Sequence, residues 1–232
     1  MLHRFQRALS VAEQRGPFGL CDIDALEARH PHPIFSVSEL LRRQVRRLCR
    51  GRQRCTLALI SFQPAPETLE GWSHLIDETV SRCVGQICTE LAEVLLIFPD
   101  SGPEAVVGCI EAVIDDARKR FGEESFVAGV ASWPLLDCTK LETLANCRKA
   151  QRHASFLGAG SVVFFDHLSL NISGDAFFDE GDYRAALHEY RRGLRIKPGD
   201  VNLINSLGVA LVEWNQLRAA ARCFQDALAL EP

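Results

Sequence analysis

Nine cysteines, seven histidines and a run of arginines are the side chains whose types and spacing could do chemistry. Thiolates and imidazoles together suggest zinc, but no Cys-x-x-Cys pair occurs. The closest spacings are Cys49 with Cys55 and Cys83 with Cys88. Structural zinc needs tighter pairs, so neither a metal nor any other cofactor is expected. Most of the cysteines lie in apolar stretches, as in Val107-Gly108-Cys109-Ile110, and read as small buried hydrophobes in a reducing compartment. His30-Pro31-His32-Pro33 offers two imidazoles, yet its prolines fit an extended connector. Arg42, Arg43, Arg46, Arg47, Arg50, Arg52 and Arg54 place seven guanidiniums in 13 residues. Such a cluster attracts a nucleotide, an acidic partner or a nucleic-acid backbone. It is equally the wet face of an amphipathic helix followed by a polar loop. Few aromatics interleave, so the wet face is the expectation.

Composition narrows the classes further. A chain of 232 residues holds one or two domains with real cores. The formal net charge of −4 argues against a generic nucleic-acid binder, which is usually basic. No apolar stretch reaches the roughly 18 residues that span a bilayer. Met1-Leu2-His3-Arg4-Phe5-Gln6-Arg7 leads into no signal-peptide core. The expectation is a cytoplasmic protein without membrane or nucleic-acid partners.

The elements that must position these side chains follow from periodicity and punctuation. Residues 1–34 remain unassigned: Leu2 to Gln14 fits a helix stopped at Arg15-Gly16-Pro17, and a proline-rich connector runs to Pro33. Ser36-x-x-Glu39 has capping-box spacing, and Val37, Leu41, Val45 and Leu48 then recur at helical intervals. Cys55 to Phe62 is an apolar run of strand character, and Pro64 and Pro66 admit a helix over 67–82. Strands near 83–89 and 94–98 stand at hairpin spacing. Pro103 suits the first turn of a helix striped by Val106, Ile110, Val113 and Ala117. Ser125 to Ser132 is a strand, and Thr139-x-x-Glu142 caps a helix ending near Gly158 and Gly160. Val162-Val163-Phe164-Phe165 closes the unit. The order, a helix, then β-α-β-β-α-β, then α-β, predicts a ferredoxin-like α+β sheet with helices over residues 35–166.

Several of these segments resemble the GGDEF domain of diguanylate cyclases. Phe126-Val127-Ala128-Gly129-Val130-Ala131 is similar to that family's Ser-Ile-Gly-Ile-Ala strand. Val94 to Pro99 resembles the strand after its signature turn. The stretch from Arg148 through Gly158 to Val162 keeps the spacing of its late helix. The resemblance implies a nucleotide site built from a metal-binding Asp at the end of the first strand and a Gly-Gly-Asp/Glu-Glu-Phe turn. Here the signature falls on Glu90-Leu91-Ala92-Glu93-Val94: both glycines are gone, Ala92 replaces an acid, and Ser61 replaces the metal-binding Asp. Phosphoryl transfer needs carboxylates to hold its metals. With Glu93 alone surviving, the resemblance implies a vestigial nucleotide site, Ser61 and Glu93, without catalytic residues. Glu93, alone beside a hairpin, is expected as a solvated turn residue. A residual enzyme would need relocated ligands such as Glu67 or Asp100. The family's product-binding Arg-x-x-Asp is also missing: Ser81 and Val84 stand at its spacing, and Arg82 is followed there by Gly85.

After residue 166 a pattern repeats at a spacing of 34. Gly174, Ala186, Tyr190, Gly193 and Pro198 are answered by Gly208, Ala220, Phe224, Ala227 and Pro232. This resembles the tetratricopeptide repeat, a two-helix unit that stacks into protein-binding arrays. It predicts an all-α segment over 167–232, with repeats at about 167–200 and 201–232. Asp179-Glu180-Gly181-Asp182-Tyr183 marks one turn, and Glu213-Trp214-Asn215-Gln216-Leu217 marks the other without its glycine. Gly174 and Gly208 are expected where helices approach closely. Family geometry puts Asn171, Asp175, Phe178, Asn205, Val209 and Glu213 in a partner-binding groove. The expected whole is a non-catalytic signalling or scaffold protein that binds a protein through its repeats. The short joint from Asp166 to Asn171 is expected to couple the modules. Homodimerisation, and an alternative role as a nucleotide or cyclic di-GMP sensor, stay open.

Overall fold

The computed structural model describes residues 37–62, 85–88, 93–121 and 126–231. The expected helices at Leu2–Gln14 and 67–82 therefore lie outside the described residues, as do Ser36, Glu67, Ser81, Arg82, Val84, Glu90, Leu91 and Ala92. The described residues form two compact units, 37–172 and 173–231.

The described elements of the first unit follow the expected order. Helix α1 (Glu39–Leu48) leads to β1 (Cys55–Phe62), β2 (Gly85–Cys88), β3 (Glu93–Pro99), α2 (Pro103–Phe121), β4 (Phe126–Trp133), α3 (Lys140–Leu157) and β5 (Val162–Phe164). The strands lie in the order β2-β3-β1-β4-β5, antiparallel except for the β4–β5 pair. β1 is central and buried along nearly its whole length. Its alternation divides the core. Ala58, Ile60 and Phe62 join Val106, Ile110 and Val113 of α2 on one face. Cys55, Leu57 and Leu59 meet Leu41 and Val45 of α1, with Leu144 and Cys147 of α3, on the other.

Two local details decide where the helices sit. The cap of α1 is Ser38, whose hydroxyl accepts from Leu41 N at 3.3 Å, not the expected Ser36. Glu39 therefore becomes the first helical residue, an acid well placed at the positive end of the helix dipole. The expected box on α3 forms in full: Glu142 N donates to Thr139 Oγ1 at 3.2 Å and Thr139 N to Glu142 Oε2 at 2.6 Å. Gly129 lets α3 lie directly on β4. A Cβ there would come within 2.8 Å of Gln151 Cα.

The all-α segment is built from α4 (His167–Asp179), α5 (Tyr183–Ile196), α6 (Val201–Glu213) and α7 (Leu217–Leu230). Both bounds of α6 and of α7 fall 34 residues after those of α4 and α5, so the period seen in sequence is the period of the structure. Gly181 takes φ +77° in the first turn, and Asn215 takes φ +60° at the same place in the second. Asn tolerates the left-handed region better than most residues, which explains the missing glycine. A Cβ on Gly208 would stand 2.6 Å from the Phe224 ring, and one on Gly174 would overlap Tyr190. Among the described residues no helix is long and apolar enough to cross a membrane.

Candidate functional site

Antiparallel pairing sets Ser61, near the end of β1, directly opposite Glu93, the first residue of β3. Directly opposed residues point to the same face, here the one covered by α3. On α3, Arg148 and Gln151 are three residues apart and so share one side of the helix. Arg148 Nη2 donates to Glu93 Oε2 at 2.7 Å, and Arg148 Nη1 donates to Glu93 Oε1 and, at 2.8 Å, to Gln151 Oε1. Gln151 Nε2 completes the chain, donating to Ser61 Oγ at 3.1 Å and to Leu59 O at 3.4 Å.

This overturns the expectation that Glu93 is a solvated turn residue. It is 7% exposed and holds a guanidinium bidentately, the stronger form of such a pair. The physical reason is its position inside the ladder: it faces α3, where a lone carboxylate would be costly to bury and a facing Arg offsets that cost. Glu93 and Ser61 thus come together, but as parts of an internal polar network. A metal ion or a phosphate there would compete with partners already seated. Asp100 stands just beyond the other end of β3, roughly 20 Å of strand away. It is bound by Arg52 at 2.7 Å, so it shares no site with Glu93.

Arg148 and Gln151 were not singled out from sequence. Their signal is an i, i+3 polar pair on a helix whose neighbouring positions Leu144, Cys147, Ala150 and Ala154 are fully buried.

A second cluster has the residue types of a hydrolytic triad and another use. Ser169 Oγ donates to Asp166 Oδ1 at 3.1 Å and lies 3.2 Å from His153 Nδ1. Ser169 is wholly buried, and the Asp166 carboxylate also accepts Ser169 N at 2.9 Å. The arrangement caps α4 instead of activating a nucleophile. Cys49, Cys55, Cys138 and Cys147 are buried and free, and the hydrogen bond from Cys55 draws the Cys49 thiol below its ordinary value against the effect of burial. Burial pushes the Cys147 thiol well above its ordinary value, keeping it protonated.

In the repeats, Asn205, Val209 and Glu213 are exposed on α6, while Asn171 and Phe178 are half-buried on α4. Asp175 is also at the surface, but it accepts the Tyr190 hydroxyl at 2.8 Å. Burial raises the Asp175 carboxyl above its usual value, with the Tyr190 hydrogen bond opposing the shift. Burial also drives the Tyr190 phenol up, and the acceptor carboxylate adds to that. One repeat later the pair becomes Val209 and Phe224, so an internal hydrogen bond gives way to an apolar face. Val212, 40% exposed, stands one period after Phe178.

Residues 174–214 match the family model of a TPR repeat. No curated protein matches the chain. Among solved structures, the GGDEF domain of FimX from Pseudomonas aeruginosa is 14% identical, with a TM-score of 0.44 over 56% of this chain and 96% of that one. The GGDEF domain of TpbB (YfiN), also from P. aeruginosa, is 13% identical, with a TM-score of 0.45 over 62% and 98%. The diguanylate cyclase SiaD, solved with its activator SiaC from the same organism, is 23% identical, with a TM-score of 0.38 over 71% and 66%. None of these lends this chain a residue role, a ligand or a partner.

Proposed function

We propose that this chain is a non-catalytic signalling or scaffold protein of the cytoplasm, in which a degenerate GGDEF-like unit is joined to repeats that bind a protein partner. The observation that carries this reading is the state of Glu93. The only acid of the resembling signature that remains is buried, and both its oxygens are held by Arg148. Ser61, where the resemblance implies a metal-binding Asp, is a hydroxyl engaged by Gln151. Two-metal phosphoryl transfer needs free carboxylates at that end of the sheet. The repeats support the other half of the reading. Their α6 presents Val209 and Val212 at 44% and 40% exposure beside polar Asn205 and Glu213, a mixed surface suited to protein contact.

The experiment is calorimetric titration of the chain with GTP and magnesium, then with cyclic di-GMP, alongside an assay for pyrophosphate release. The expected result is no saturable heat and no turnover. Saturation at micromolar ligand would replace the reading with a nucleotide or cyclic di-GMP sensor that signals through the repeats. Turnover abolished by Glu93→Gln would make the chain an enzyme.

A further inference from the structure

We infer that the arginine face of α1 and the loop after it is a docking surface for an acidic protein segment, an extended stretch carrying carboxylates at alternate positions. This surface belongs to the unit of residues 37–172, and the inference holds whatever the repeats bind.

Leu41 and Val45 are buried against the sheet, which leaves Arg43, Arg46 and Arg47 exposed to water and Arg42 half-buried beside them. The patch is unbalanced. Arg43 and Arg46 share the single carboxylate of Glu39, at 3.6 and 3.3 Å, and Arg52 takes Asp100 at 2.7 Å. Arg42, Arg47, Arg50 and Arg54 have no carboxylate partner among the described residues. The loop that carries Arg50 to Arg54 is pinned, because Lys140 Nζ donates to Cys49 O at 2.8 Å and to Arg52 O at 2.7 Å. Lys140 itself lies 4.4 Å from the centre of the Trp133 ring. The cations are therefore presented from a fixed backbone, so less ordering is needed on binding.

The chemistry of the occupant follows from three features. Glu39 shows the mode in miniature, since two guanidiniums one turn apart hold one carboxylate. Arg42 and Arg46, like Arg43 and Arg47, are separated by about 6 Å along the axis. Alternate side chains of an extended strand are about 6.7 Å apart, close enough for flexible guanidiniums to follow. Residues 37–54 contain no aromatic side chain on which a base could stack, which favours an acidic peptide over a single-stranded nucleic acid.

The test is fluorescence anisotropy with a labelled peptide of six Glu-Ser repeats, a six-repeat Gln-Ser control, an oligo-dT of equal charge, and phosphatidylserine vesicles. The full chain should bind the Glu-Ser peptide and not the control, about tenfold more weakly when sodium chloride rises from about 50 to about 300 mM. Arg42→Glu with Arg47→Glu should weaken binding at least about tenfold while circular dichroism and melting stay unchanged. If that pair perturbs folding, Arg50→Gln with Arg54→Gln should lower affinity in the same direction. Equal affinity in a folded variant, or no binding of the Glu-Ser peptide at low salt, would overturn the inference. Tighter binding to oligo-dT or to vesicles would overturn it in favour of a nucleic acid or a membrane surface.

Discussion

At the scale of single residues, Glu93 and Arg148 form a buried ion pair in which each charge depends on the other. Removing one member of a buried ion pair strands the other in a poorly solvated place. Glu93→Ala should therefore lower the unfolding free energy by about 3 kcal/mol, read from urea denaturation. Glu93→Leu combined with Arg148→Met should recover most of that loss, because no charge is then left unpaired. A double variant as unstable as Glu93→Ala would mean that the network matters through shape and not charge. Little of this was legible in sequence. Glu93 and Arg148 are 55 residues apart, and only the β1–β3 register and the seating of α3 bring them together. Asp175 is a related case: its place on the repeat is readable in sequence, while its hydrogen bond with Tyr190 depends on the turn between α4 and α5.

Among the elements, α3 positions the site, and Gly129 positions α3. The Gly129→Ala methyl would press on the backbone of Cys147 and Gln151, which cannot swing aside as a side chain can. Overpacking against backbone should cost about 3 kcal/mol, and the displaced helix should also loosen Arg148 from Glu93. A melting temperature within about two degrees of wild type would show that α3 slides without penalty. Element type was largely readable because its signals are local. Pro103 opens α2, the Thr139–Glu142 box opens α3, and the 34-residue period returns in every helix bound of the repeats. The start of α1 was misplaced because Ser36 and Ser38 both precede the apolar stripe. Capping-box spacing favoured Ser36, whereas the actual cap is a lone Ser38 hydroxyl without a returning carboxylate.

For the whole molecule, the open matter is whether the units act together, and α4 is the element that bears on it. Sequence suggested a short joint from Asp166 to Asn171. These residues are instead the cap and first turns of α4, which runs unbroken to Asp179. Leu170 in its first half is fully buried, and Ala176 and Phe177 in its second half belong to the repeat core. A helix is costly to nucleate and cheap to extend, so fraying one half withdraws support from the other. We therefore expect a single cooperative transition in calorimetry. Asp166→Ala, which removes the cap, should lower its midpoint by an amount equivalent to about 1 kcal/mol. Single-tryptophan variants keeping either Trp133 or Trp214 place one probe in each unit. If the units are coupled, both probes should shift together on loss of the cap. Two resolved transitions, with only the Trp133 signal responding, would leave the units as independent modules on one chain and remove the structural basis for signalling between them.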